Sequence, residues 1–253
     1  MKLSKETLSV LKNFATINGN ILIKSGDRLS TISAQKNVMA STTVKENFDR
    51  DFGIYDLNEF LGVYSLFADD PELQFDEKFV TVANGKSKVK YFAADPSVLA
   101  SPTKDALPVD EDIKFDLPRS AYDMIMKTSS VLRSNDVSFI GADGNITVLV
   151  ADKKNATSNA WDSVVGTTDK TFKVNFRIDN FKMLEGDYEV SISKKRISKF
   201  ASKMNDLTYF IAVEADSTFD FYFIMRFILW MNNLSGSRSI DPLLLMSVSF
   251  PKV

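Results

Sequence analysis

The sequence predicts an α+β fold in which helices collect on one face of antiparallel sheets. Two stretches repeat one arrangement: an aspartate opens a segment of helical periodicity, and a two-residue turn follows later between strand-like runs. Asp56 is followed 28 residues later by Asn84-Gly85, and Asp116 is followed 27 residues later by Asp143-Gly144. Both turn pairs are strong hairpin signals. The chain is therefore expected to be internally duplicated, and such repeats usually build a surface, a ring or an array.

Composition narrows the possible functions. The 253 residues are 44% hydrophobic, which is enough to build one or two globular domains with a core. The absence of cysteine and histidine excludes disulfides, thiol nucleophiles, the usual zinc sites and Ser-His-Asp catalysis. Because the formal net charge is −2, any attraction to phosphate must come from a local basic patch.

Helical periodicity predicts four helices, each followed by strand-like sequence. Their expected N-caps are, in chain order, Ser4, Asp56, Asp116 and Asp179. The first helix reaches residue 17, the third tolerates Pro118 in its first turn, and the fourth is short and covers residues 180–184. The similar spacing of the four starts indicates four helix-plus-strands units.

Between the helices the period changes to two, which predicts strands at residues 20–24, 28–34, 36–44, 78–83, 86–92, 137–142, 145–151, 171–178, 188–194 and 206–215. Residues 94–114 contain several prolines and lack a regular period, so an extended connector is expected there. The connector separates two halves that each hold two units. Two similar domains are therefore predicted, at residues 1–93 and 115–221.

The outward faces of three predicted helices carry lysine or arginine although the whole chain is acidic. These cations are Lys5 and Lys12 on the first helix, Arg119 and Lys127 on the third with Arg133 just beyond it, and Lys182 on the fourth. One interpretation is an ordinary solvated helix face. The other is a basic surface that follows a phosphate backbone without reading bases.

Signals of catalysis are weak. Asp69-Asp70 and the acidic run 110–112 could in principle hold magnesium, but both occur in turn-like or proline-rich sequence that is typical of solvated loops. The chain has no GxxxxGK[ST] phosphate loop, GxGxxG fingerprint or GxSxG elbow. We therefore expect no enzymatic activity and no cofactor.

Several motifs resemble those of a known family, the DNA sliding clamps, and within it the processivity clamps of T4-type bacteriophages. The motifs occur in family order and are MKLSK (1–5), LKNFATIN (11–18), IYDLN (54–58), FLG (60–62), AADPS (93–97), KM (182–183), GDY (186–188), EADST (214–218) and DF (220–221). The resemblance implies the sliding-clamp fold also seen in proliferating cell nuclear antigen. In that fold a pseudo-symmetric ring is made of six similar domains, with helices lining the hole and sheets forming the outer wall.

The resemblance also implies a function. A homotrimer of two-domain subunits would encircle double-stranded DNA without sequence preference, with Lys5, Lys12, Arg119 and Lys127 facing the hole and Lys182 and Arg133 near it. The replicative DNA polymerase would dock near the connector and the C-terminal segment, for which the expected contact residues are Val98, Leu99, Glu214, Ala215, Asp220 and Phe221. The resemblance adds an ATP-dependent clamp loader and late-transcription factors as partners.

The resemblance further implies action in the cytoplasm of the infected bacterial host, and we expect neither secretion nor a membrane partner. A β-rich phage structural or assembly protein is the alternative, because duplicated domains and weak catalytic signals fit that class too. Convergence of the basic helix faces on the hole of a closed trimer would exclude it.

Residues 222–253 depart from the family pattern, because clamps of this type end at the residues matching Asp220 and Phe221. The extension is apolar at residues 222–231, polar at 232–239 and apolar again at 243–246. It is either an addition without a role, from read-through or a shifted frame, or a tethered peptide that covers the partner pocket or an interface. Truncation after Phe221 is expected to leave assembly and polymerase stimulation intact or to improve them.

Overall fold

A computed structural model of the chain describes residues 1–67, 71–155 and 157–219. Asp69, Asp70, Asp220, Phe221 and the extension 222–253 lie outside the described residues. The described helices are α1 (Lys5–Ile17), α2 (Leu57–Ser65) and α3 (Arg119–Leu132), with 3₁₀ turns at Pro96–Val98 and Ile178–Asn180. No helix in these ranges is long and apolar enough to cross a membrane.

The strands of the described residues are all antiparallel to their neighbours. They are β1 (Ile21–Ile23), β2 (Gly26–Ile32), β3 (Val38–Phe48), β4 (Phe52–Ile54), β5 (Glu72–Phe75), β6 (Phe79–Asn84), β7 (Ser87–Phe92), β8 (Ile113–Leu117), β9 (Asp136–Ala142), β10 (Asn145–Val150), β11 (Trp161–Thr167), β12 (Phe172–Arg177), β13 (Tyr188–Ser193), β14 (Ile197–Ser202), β15 (Thr208–Ala212) and β16 (Thr218–Phe219).

Both predicted hairpins are confirmed. Strands β6 and β7 pair up to Asn84 opposite Ser87, and strands β9 and β10 pair up to Ala142 opposite Asn145. In the second turn Asp143 and Gly144 have φ angles of 50° and 81°. Positive φ at both central positions matches the right-handed twist of the strands, and aspartate and glycine tolerate it at low cost.

The predicted caps of α1 and α2 are also confirmed. The Ser4 hydroxyl accepts the Thr7 amide at 3.2 Å, and the Asp56 carboxylate accepts the Glu59 amide at 3.0 Å. At α1 the buried carboxylate of Glu46, on β3, accepts further hydrogen bonds from the Ser4 amide and the Thr7 hydroxyl. These acceptors satisfy amides that a helix N-terminus leaves without intrahelical partners.

The prediction that Asp116 caps the third helix is wrong. Residues 113–117 form β8, whose inward side chains alternate with exposed ones, and the Asp116 carboxylate contacts Lys203 at 2.6 Å. Because Pro118 restricts the residue before it to extended backbone, the helix begins only at Arg119. The missing cap is supplied from a distant part of the chain, since Asp187 accepts the Arg119 amide at 2.8 Å.

The predicted fourth helix is absent, which is a second correction. Only the 3₁₀ turn Ile178–Asn180 forms, and Asp179 lies inside it instead of capping a helix. The segment that follows is irregular because tyrosine hydroxyls bind its backbone. Tyr122 donates to the carbonyls of Phe181 and Met183 at 3.1 and 2.9 Å, and Tyr209 accepts the Leu184 amide at 3.1 Å.

The two halves of the chain share one sheet. Its strand order is β2-β3-β15-β14-β13-β8, so strands from before the connector lie next to strands from after it. The junction is the β3–β15 pair, in which Met39 lies opposite Phe210. Two further sheets have the orders β5-β6-β7 and β11-β10-β9-β12-β16.

Candidate nucleic-acid interface and partner pocket

Helix α1 carries two of the predicted DNA-facing residues. Lys5 and Lys12 are exposed on the side opposite to the fully buried Leu11 and Phe14. Among the residues that the structure describes, neither lysine forms an ion pair with a carboxylate. Their charges are therefore available to a partner outside the subunit.

Helix α3 and its C-cap carry three more of the predicted DNA-facing residues, of which two have an available charge and one is in an ion pair. Lys127 is exposed without an ion-pair partner in the described ranges, and Arg133 is exposed at the C-cap with a left-handed φ of 53°. Arg119 is instead engaged: its guanidinium lies 2.5 Å from Glu185 and 3.6 Å from Asp123. The helix thus presents two available cations and one that is already neutralised.

Lys182 does not lie on an outward helix face, because the helix predicted there does not form. Its ammonium group donates to the carbonyl of Thr16 at 2.6 Å, in the last turn of α1. A cation at this position satisfies a free carbonyl and the negative end of the helix dipole. Its own carbonyl accepts the Asn13 side-chain amide at 2.9 Å, so residues 181–184 join α1 to Tyr122 of α3.

The acidic run at residues 110–112 is held by lysines and by backbone. Asp110 lies 2.9 Å from Lys195, Glu111 lies 3.2 Å from Lys114, and Asp112 accepts the Lys194 amide at 2.8 Å. Hydrogen bonds from these lysines lower the pKa of Asp110 and of Glu111. Within the described ranges no group of three or more acidic residues could hold a metal ion.

A shallow pocket of about 90 Å³ lies at the seam between the two halves of the shared sheet. Its lining comes from the β2–β3 turn, the connector and strands β14 and β15, and consists of Ile32, Lys36, Asn37, Met39, Leu107, Arg196, Ile197, Phe210 and Ala212. The lining is apolar except for Asn37 and the two exposed cations, Lys36 and Arg196. Such a pocket fits an apolar side chain of a peptide and attracts acidic residues next to it.

The two cations of the pocket occupy equivalent turns. The Lys36 amide donates to the Ser33 carbonyl at 2.8 Å, and the Arg196 amide donates to the Ser193 carbonyl at 2.9 Å. Both cations have a left-handed φ, of 58° and 64°. In the sequence, both turns show the same pattern: a serine at the end of a strand is followed three residues later by a cation. The sequence analysis did not identify this pattern.

The residues predicted to contact partners lie elsewhere. Val98 is exposed on the 3₁₀ turn of the connector, and Leu99 packs over Gly53, where an added Cβ would come within 2.8 Å of its side chain. Glu214 and Ala215 lie in the turn before β16, where the Glu214 amide donates to the Asn175 carbonyl at 2.9 Å. None of these four lines the pocket.

Strands β7 and β11 are edge strands of their sheets, as are β2, β5, β8 and β16. Strands β7 and β11 each carry an exposed apolar side chain: Phe92 is 69% exposed and Val164 is 60% exposed. A free edge with exposed apolar residues is a template for pairing with another chain. Helix α2 contacts β7, where the rings of Phe60 and Tyr91 lie 5.4 Å apart.

Comparisons with known proteins agree with this architecture. The model of a family described as DNA polymerase processivity factor matches residues 4–101. The sliding clamp of Vibrio phage KVP40 is 34% identical over 223 residues, which cover 85% of this chain and all of that protein. The sliding clamp of Enterobacteria phage T4 is 32% identical over 231 residues, which cover 87% of this chain and all of that protein.

A solved structure supports the fold. PCNA from A. fulgidus superposes with a TM-score of 0.63 at 11% sequence identity, over 86% of this chain and 98% of that one. At such low identity the likeness concerns the fold alone. The α+β arrangement of antiparallel sheets and few helices is the same in both.

Proposed function

This chain belongs to the sliding clamps of T4-type bacteriophages, and we propose from this premise that it encircles duplex DNA and tethers a replicative DNA polymerase. The observation that carries the proposal is the set of exposed lysines Lys5, Lys12 and Lys127, which have no carboxylate partner in the described ranges of a chain with net charge −2. A ring holds DNA by its topology, so weak attraction to phosphate is sufficient. Base readout would oppose sliding.

In this proposal the four exposed cations with available charge line the hole: Lys5, Lys12, Lys127 and Arg133. They contact phosphate oxygens through their charge and give a binding constant that falls with salt. Arg119 and Lys182 are instead engaged, Arg119 with Glu185 and Lys182 with the end of α1. They contribute less to the attraction than the sequence predicts.

The ring is proposed to be a homotrimer in which residues 1–93 and 115–221 act as the two similar domains of each subunit. We propose that the subunits meet at the two edge strands with an exposed apolar side chain named above, with β7 of one subunit next to β11 of its neighbour. The exposed Phe92 and Val164 would then be covered, and the unpaired backbone groups of both edges would gain hydrogen bonds.

The pocket at the seam is the proposed docking site for short peptides of the polymerase. Its apolar floor, which includes Met39, Ile197 and Phe210, suits a large apolar side chain, and Lys36 and Arg196 add attraction for an acidic neighbour. We propose that an ATP-dependent clamp loader and late-transcription factors use the same surface at other times. In this account the clamp itself catalyses no reaction and works in the cytoplasm of the infected host.

Two measurements test the proposal together. Light scattering is expected to give three times the 28.4 kDa mass of the chain. A processivity assay on primed circular DNA, with the phage polymerase and clamp loader, is expected to show longer products when the clamp is added. A monomer that leaves product length unchanged would contradict the proposal and would favour a structural or assembly role.

A further inference from the structure

The guanidinium of Arg119 is occupied by an acidic partner of its own subunit. One of its terminal nitrogens lies 2.5 Å from a carboxylate oxygen of Glu185, and its Nε lies 3.6 Å from Asp123 on the next turn of α3. Carboxylate and phosphate oxygens both accept charge-assisted hydrogen bonds from guanidinium nitrogens. Glu185 therefore occupies a nitrogen of Arg119 that a phosphate of DNA could otherwise bind.

The backbone around Glu185 is fixed on both sides. Before it, the Leu184 amide donates to Tyr209 and the Met183 carbonyl accepts from Tyr122. After it, the Asp187 carboxylate accepts the Arg119 amide at 2.8 Å. The irregular segment that replaces the predicted fourth helix thus brings an acid to the first turn of α3.

The Arg119–Glu185 pair is close but easily exchanged. Both side chains are exposed, by 60% and 66% respectively. Ion pairs at such exposure contribute little free energy because water and salt screen them. A phosphate oxygen that approaches Arg119 can therefore compete with Glu185.

We propose that Glu185 is an internal competitor of the DNA backbone: it takes the place of a phosphate on Arg119 and so weakens the hold of the ring on duplex DNA. The inference rests on the proposed lining of the hole and deepens it. If Glu185 competes in this way, each subunit binds one phosphate fewer than the number of its predicted DNA-facing basic residues indicates. A weaker hold reduces the friction that bound phosphates would add to sliding.

The test is the salt dependence of binding of the full-length clamp to a short linear duplex, followed by fluorescence anisotropy. Glu185→Gln is expected to raise the affinity at low salt by up to about fivefold, because it releases an ion pair of the weak exposed class. The slope of log K against log [salt] is expected to steepen by up to about 0.9 for each additional phosphate that is neutralised. An unchanged slope in this variant would overturn the inference.

Glu189→Gln is the matched control, because Glu189 also pairs with a lysine, Lys114 at 3.2 Å, but lies on β13 in the shared sheet. It changes the net charge by the same amount and is expected to leave the slope unchanged. An equal effect of both variants would show a general charge effect and would contradict the proposal. Combining Glu185→Gln with Arg119→Ala is expected to abolish the gain, and a gain that persists would also overturn it.

A different variant tests the proposed lining of the hole independently of the role given to Glu185. If Lys5→Glu with Lys127→Glu leaves the affinity for the duplex unchanged, the lining itself is wrong. If that variant weakens binding while Glu185→Gln has no effect, the lining stands and only the competition by Glu185 is excluded.

Discussion

The hydroxyl of Tyr209 on β15 donates a hydrogen bond of 2.8 Å to the side-chain oxygen of Asn13 on α1. The same hydroxyl accepts the Leu184 amide, and the Asn13 amide group donates to the Lys182 carbonyl. Both side chains are buried, and burial raises the pKa of the Tyr209 hydroxyl. One buried pair of side chains therefore joins a helix of the first half, a strand of the second half and the irregular segment at residues 181–184.

Tyr209→Phe is expected to destabilise the clamp by about 1–3 kcal/mol, because it leaves buried polar groups without partners. Urea unfolding at one fixed protein concentration measures this loss, since assembly also contributes to apparent stability. Tyr91→Phe is the control: its hydroxyl donates to the Asp56 carbonyl at 3.0 Å in an exposed position. An equal effect of both substitutions would contradict the role given to the buried network.

Glu46→Gln is expected to destabilise α1 by about 1–2 kcal/mol at neutral pH, because the helix N-terminus then lacks a charged acceptor. Burial raises the pKa of Glu46, but the hydrogen bonds from Thr7 and Ser4 together outweigh it, so the pKa lies below its ordinary value of 4.5. A carboxyl whose pKa is lower in the folded chain adds stability above its unfolded pKa. That contribution is lost as the pH falls through the folded pKa.

The stability difference between wild type and Glu46→Gln should therefore be present at neutral pH. It should shrink as the pH falls from above 4.5, the ordinary pKa of the group, through its lower pKa in the folded chain. Urea titrations across this range measure it. A difference that stays constant with pH would show that the ionised carboxylate has no part in capping α1.

Charge reversal at Lys5 and Lys127 together is expected to weaken retention of the loaded clamp on circular DNA at moderate salt. The slope of log K against log [salt] should become shallower by about 0.9 for each phosphate that the variant no longer neutralises, while the trimer stays intact. Lys104→Glu with Lys154→Glu makes the same change of net charge at exposed sites away from the helices. If retention is equally sensitive to salt in the wild type and in both double variants, Lys5 and Lys127 do not line the hole.

Val164→Glu is expected to shift the clamp from trimer to monomer, because the proposed contact would bury an unpaired carboxylate. The penalty for such a charge corresponds to association weakened by roughly 100-fold. Light scattering over a dilution series measures the change in mass. Met204→Glu, at an 81% exposed position in the β14–β15 turn, should leave the mass unaltered.

Ile197→Glu is expected to weaken binding of the polymerase by at least about tenfold, because it places a charge in the apolar floor of the pocket. Product length in the processivity assay should fall although the mass of the trimer is preserved. Val98→Glu tests the competing site on the connector, where the sequence predicted a contact. If only Val98→Glu shortens the products, the peptide binds at the connector turn and not in the pocket.

The sequence predicted correctly those features whose partners are close along the chain. Asp56 caps α2 through an amide three residues away, and Asp143-Gly144 forms a turn from its own backbone preferences. The start of α3 was wrong because its cap, Asp187, is distant in sequence. The fourth helix was wrong because hydroxyls of Tyr122 and Tyr209 bind the backbone that a helix would need.

The candidate sites show the same difference between features set by nearby residues and features set by distant ones. Helical periodicity was sufficient to identify Lys5, Lys12 and Lys127 as exposed cations, since the opposite faces of their helices are apolar. It could not show that Arg119 is paired with Glu185, because that contact depends on an irregular segment. The pocket was missed since it joins three parts of the chain, the β2–β3 turn, the connector and the β14–β15 strands.

The pairing of β3 with β15 has a consequence for synthesis of the protein. A ribosome completes β3 long before residues 208–212 leave its exit tunnel, so the newly made β3 edge has no native partner for most of translation. Such a long-range pairing slows folding because a large loop must close first. The nascent first half therefore has to avoid edge-to-edge aggregation until β15 arrives, and its folding is completed only after the second half has been made.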